Sequence, residues 1–171
     1  IPDGRVVRIS VEEQADKPQE PGANSGDSAN SNTGNAEDSS SSTTVTDEML
    51  RTWELQMVDL VNEERRKAGV ANLKMNEILM ESAQVWAKHL TTDFRHSDID
   101  DLREFENDEF TIALENITGA GRLTGIGYDP LTLAMNNFMN SEGHRNSILN
   151  NDMKYIGIGF ALADDGNIYC C

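Results

Sequence analysis

The 171 residues include 30 acidic and 14 basic side chains, a formal charge of −16. Charge of that sign and size repels phosphate backbones and anionic lipid faces, which argues against nucleic acid as a partner. No run reaches the ~18 consecutive apolar residues of a membrane helix, so no membrane span is expected.

Residues 6–11 open the chain with an alternation of Val7, Ile9 and Val11 against Arg8 and Ser10, the period of a brief strand. Residues 1–14 therefore read as a short strand or the tail of an upstream region. Residues 15–45 are Ser, Asn, Gly and acidic side chains with scattered Pro. Such a composition buries too little apolar surface to offset its ordering entropy, and it reads as a disordered linker. Both tryptophans and all the phenylalanines lie later, so a single domain over residues 46–171 must hold the core.

Thr46 is placed to cap a first helix, with Asp47 and Glu48 favouring its N-terminal dipole and Gly69 as its stop. Leu50, Trp53, Met57, Leu60 and Val61 step by three and four along it, one stripe facing a core. A second helix is predicted from a cap at Asn76 to about Thr92, with Leu79, Ala83, Trp86 and Leu90 inward. Asp129 followed by Pro130 announces a third, carrying Leu131, Met135 and Phe138 and ending at Gly143. Residues 155–163 then alternate Ile156, Ile158 and Phe160 with Gly157, Gly159 and Ala161, a strand with one small face. A turn over residues 164–167 returns the chain as a second strand. Helices followed by a closing hairpin define an α+β class with a small antiparallel sheet. Cys170 and Cys171 are the only cysteines; neighbours on a strand point to opposite faces, so two free thiols are expected, one of them inward.

The three histidines differ in setting. His89, beside Lys88 on the second helix, reads as a surface residue. His96 and His144 both follow predicted helix ends, where side chains turn readily into a cleft. Glu115 sits within the apolar run Ile112, Ala113, Leu114, Asn116 and Ile117, where an unpaired carboxylate is costly, so it should have a partner. If the third helix runs to Gly143, Glu142 extends its apolar stripe by one step, and Ser141 shares that direction approximately. HExxH, paired CxxC, GxSxG and phosphate-binding Gly loops are all absent.

Several ordered segments carry a family resemblance. Residues 60–69 read LVNEERRKAG with Leu73 after them, His96 precedes Ser97, residues 114–117 read LENI, residues 138–149 read FMNSEGHRNSIL, and residues 156–161 read IGIGFA. Together they resemble the bacterial CAP domain, the SCP-like superfamily of cysteine-rich secretory proteins, antigen 5 and pathogenesis-related 1. Three positions depart from that pattern: Leu114 stands where Gly is usual, Phe138 where Trp is usual, and Glu142 where bacterial members carry Pro.

The resemblance implies a three-layer α-β-α sandwich, secreted or displayed at a bacterial cell surface. It implies a cleft where His96, Glu115 and His144 converge, with Ser141 or Glu142 as a fourth member. Two imidazoles and a carboxylate suit zinc or another divalent cation, with a position left open. The expected function is a binding module for a metal, a small-molecule, lipid-like or cell-envelope ligand, or a protein partner. The alternative is a metal-assisted hydrolase using the same residues, although neither Ser97 nor Ser141 lies in a nucleophile motif.

Overall fold

The computed structural model describes residues 7–8, 45–98, 101, 112–122 and 129–171. The linker expected over residues 15–45 therefore lies, but for its last residue, outside them.

Helix α1 (Asp47–Lys67) begins where the Thr46 side chain accepts from the Met49 N–H at 3.2 Å. It ends in a Schellman motif: Gly69 takes φ 72°, and the N–H groups of Gly69 and Val70 bond back to Arg66 and Arg65. The short strand β2 (Lys74–Met75) leads into α2 (Glu77–Leu90), capped by Asn76. Strand β1 (Val7–Arg8) pairs in parallel with β3 (Ile112–Ala113), so part of the opening alternation does form a strand. Strand β4 (Thr118–Arg122) precedes α3 (Pro130–Asn140), whose cap Asp129 accepts from the N–H groups of Leu131 and Thr132.

Two expectations give way in the structure. The third helix does not run to Gly143: at Ser141 the backbone turns extended, at φ −87° and ψ 128°, and Ser141 caps a separate helix α4 (Glu142–Ile148). Nor is residues 155–163 one strand. β5 (Tyr155–Ile156) pairs in parallel with β2, and β6 (Phe160–Leu162) turns into the main sheet. A Cβ on Gly157 or Gly159 would lie 2.1–2.2 Å from the backbone of Leu79 or Ala83. Helix α2 thus rests directly on this segment, which explains its small face.

The main sheet has the order β4-β7-β6, all antiparallel, with β7 (Asn167–Cys170) in the centre. Alternation along β7 divides the core. Ile168 and Cys170 face a cluster with Met57, Val61, Met135, Phe138 and Phe160 from α1, α3 and β6. Tyr169 and Cys171 face Trp86, Leu90 and Ile117 on the α2 side. Helices on both faces of one sheet make the three layers. Neither cysteine is in a disulfide, Cys170 being buried and Cys171 half-buried; burial, with a smaller effect from the nearby Glu54 carboxylate, pushes the Cys170 thiol well up.

Candidate functional site, a histidine and glutamate cleft

The cleft begins where α2 stops. The Trp86 indole, buried beneath the helix, donates to the Arg95 carbonyl at 3.2 Å and so fixes the segment that carries His96. Arg95 secures the same segment from outside: its guanidinium donates to the His96 carbonyl and to both Asp101 oxygens, at 2.7 and 3.2 Å. The hydrogen bond from Arg95 holds the Asp101 carboxyl down at about 2, and Arg95 is itself raised by the same contact. Asp98 and Asp101 accept from each other's backbone N–H, a reciprocal pair of the capping-box kind.

His96 and Glu115 meet as expected: imidazole Nδ1 lies 2.8 Å from Glu115 Oε1. Ser97 completes the group. Its N–H donates to Oε1 at 2.9 Å, and its hydroxyl donates to Oε2 at 2.5 Å. One carboxylate therefore accepts three donors from two adjacent residues, which is the partner its apolar run called for. The other ring nitrogen, His96 Nε2, is buried without a hydrogen-bond partner among the described residues.

His144 occupies the third position of α4, its N–H donating to Ser141 Oγ at 3.4 Å and its ring standing edge-on to Phe138 at 5.5 Å. Asn116 ties this helix to the segment between β3 and β4 that carries Glu115: its Nδ2 donates to the His144 carbonyl at 3.0 Å, while its Oδ1 is buried without a partner among the described residues. Ser141 is thus a helix cap. Glu142 is exposed on the first turn of α4, because the break at Ser141 removes the helical register that would have aimed it inward. Among the described residues no three His, Cys, Asp or Glu side chains form a group able to hold a metal ion. His89 is not simply a solvated side chain: it stacks on Trp86 with ring centres 4.2 Å apart and lies 3.5 Å from Asp93.

Sequence reasoning weighs Ser97 only as a nucleophile and gives Asn116 and Arg95 no role. Ser97 directly follows His96 and Asn116 directly follows Glu115, and that adjacency is the available signal.

An α-β-α sandwich with a His–Glu pair past the exit of its second helix is the class of domain that fold and site define. The model of the CAP, or cysteine-rich secretory protein, family matches residues 58–171, and the chain belongs to that family. Uncharacterized protein YkwD of Bacillus subtilis (strain 168) is 30% identical over 135 residues, which cover 74% of this chain and 49% of that protein. The chain thus spans about half the length of this curated relative. Among solved structures, an outer surface protein from Borrelia burgdorferi superposes with a TM-score of 0.54 at 19% identity, over 68% of this chain and 86% of that one. An extracellular protein containing a SCP domain from Bacillus anthracis str. Ames gives 0.50 at 18% identity, over 75% and 44%. At such identities the likeness is one of fold.

Proposed function

We propose that the domain is an extracellular binding module whose cleft takes a divalent cation or a small hydrogen-bond-donating ligand at His96. One observation carries this reading: His96 Nε2 is buried and unpaired while Nδ1 is held by Glu115. Buried polar atoms are almost always satisfied, and one left open beside a carboxylate already holding three donors supports a partner there. A histidine oriented through its other nitrogen by a carboxylate is also the usual support of a metal-binding imidazole.

The donor set suits an open site better than a closed one. Glu115 has three of its roughly four acceptor positions occupied, leaving a single lone pair on Oε2. A closed tetrahedral centre with four protein ligands does not fit these residues. A cation held through His96, with its remaining positions open to water or ligand, does. Glu115 then supports the imidazole instead of ligating.

The same bonds weigh against Ser97 as the nucleophile of a hydrolase. Activation of a serine needs a base at its hydroxyl with an acid behind the base. Here the Ser97 hydroxyl donates to the carboxylate that also holds His96, so its hydrogen points at Glu115 and not at the imidazole. The outer-surface and extracellular descriptions of structural relatives lend support to a place outside the cell.

Calorimetric titration with zinc tests the proposal. Wild-type protein is expected to bind, and His96→Ala to lose at least about tenfold in affinity. Equal affinities in wild type, His96→Ala and His144→Ala would overturn it.

A further inference from the structure

We infer that Ser97 is the positioning residue of the cleft: by engaging both oxygens of Glu115 it fixes the tautomer of His96 and so makes the ligand-facing atom a lone pair. One carboxylate links the two residues. Glu115 Oε1 accepts from the Ser97 backbone N–H at 2.9 Å, and that group has no other role than donor. An ionised Glu115 only accepts, so with its carboxylate charged the ring nitrogen 2.8 Å from Oε1 carries the hydrogen. A neutral His96 with hydrogen on Nδ1 has none on Nε2.

What keeps the carboxylate facing the ring is the Ser97 hydroxyl on Oε2 at 2.5 Å. Glutamate has three rotatable bonds, and a single contact to a ring would leave its far oxygen free to swing. Ser97 is buried, so its hydroxyl and N–H form a fixed fork that grips the group at two points. Without the hydroxyl, Glu115 turns, and the two tautomers of His96 mix.

The consequence is a ligand class. His96 Nε2 and Asn116 Oδ1, each without a hydrogen-bond partner among the described residues, are then both acceptors, since the Asn116 amide already donates to the His144 carbonyl. Acceptors next to a carboxylate in a chain of charge −16 suit a cation or a ligand bearing N–H or O–H groups, and disfavour anions.

The test has two arms, and only the second rests on the binding reading above. Imidazole nitrogen chemical shifts of ¹⁵N-labelled, metal-free protein near neutral pH report the tautomer directly. Wild type is expected to show a protonated Nδ1 and an unprotonated Nε2, Ser97→Thr to match it, and Ser97→Ala to show a mixture. A wild-type His96 protonated on Nε2 overturns the inference whether or not Ser97→Ala folds. So does an unchanged tautomer in a folded Ser97→Ala.

In the second arm, zinc affinity should fall roughly 10- to 100-fold in Ser97→Ala and recover in Ser97→Thr. No zinc binding by wild type with the expected tautomer present would sink the binding reading and leave the positioning role standing. Full zinc affinity in Ser97→Ala alongside a mixed tautomer would overturn the ligand-class consequence.

Discussion

Asn62 and Asn116 each place an amide inside this domain, and the two are treated differently. Asn62 is closed at both ends, accepting from the Leu73 N–H at 2.8 Å and donating to the Leu73 carbonyl at 3.1 Å. One turn on, the Arg65 guanidinium is completely buried and donates to the carbonyls of Ala71, Ile148 and Asn150, with only Nη2 unpaired. That region staples the end of α1 to the loop after it and to the end of α4. Asn116 and His96 are each closed at one end and open at the other. The amide that serves the fold, Asn62, is joined on both sides, whereas Asn116 and His96 each keep one side without a partner among the described residues.

The sharpest way to break this contrast is to cut the staple. Arg65→Met takes the donor from the buried Ile148 carbonyl and from the partly buried Ala71 and Asn150 carbonyls, so urea denaturation should show a loss of about 3 kcal/mol. A loss below about 1 kcal/mol would mean that the guanidinium is dispensable and that the region is not a staple.

The paired asparagines sharpen the contrast further. Asn62→Ala strands both the N–H and the carbonyl of Leu73, an expected loss of about 2 kcal/mol or more. Asn116→Ala strands one carbonyl but removes an acceptor that was unpaired already, so its cost should be about 1 kcal/mol or less. Denaturation of the two variants side by side decides the matter, and equal losses would erase the distinction.

The same difference governs what can be read from the sequence. Helix caps and stripes are local: Thr46, Asn76 and Asp129 bond within three residues of themselves, and their helices begin where expected. The break between α3 and α4 is hidden because Phe138, Ser141 and Glu142 keep helical spacing through it, while Ser141 alone is extended. Strand β4 escapes notice because Thr118, Gly119, Ala120 and Gly121 carry little side-chain signal; it forms because β7 pairs with it. In the cleft, His96 and Glu115 are legible through a family pattern and the cost of burying a carboxylate. The hydrogen bonds that Ser97 and Asn116 make join residues 18 and 28 positions apart, and no local period encodes them.

The smallest expected effect lies at the rim of the cleft, where Asp101 and Arg95 hold the chain that bears His96. Asp101 is drawn from its ordinary 3.8 down to about 2, first by its hydrogen bond from Arg95 and then by the Asp98 N–H. A lowered acid contributes stability that is complete above its unfolded value, near 4, and disappears as pH falls through the folded value. Asp101→Asn should therefore be slightly less stable than wild type at neutral pH, with a gap that narrows from about pH 4 downward. Added salt should narrow it as well, because the pair is partly exposed and screened. The staple at Arg65 bonds only to carbonyls, so the cost of Arg65→Met has no such acid dependence. Urea unfolding of both variants over a pH series separates the two kinds of anchor. A gap for Asp101→Asn that stayed constant down to pH 3 would show that the carboxylate's charge is not what holds the rim, and would leave shape and neutral hydrogen bonding as its only contribution.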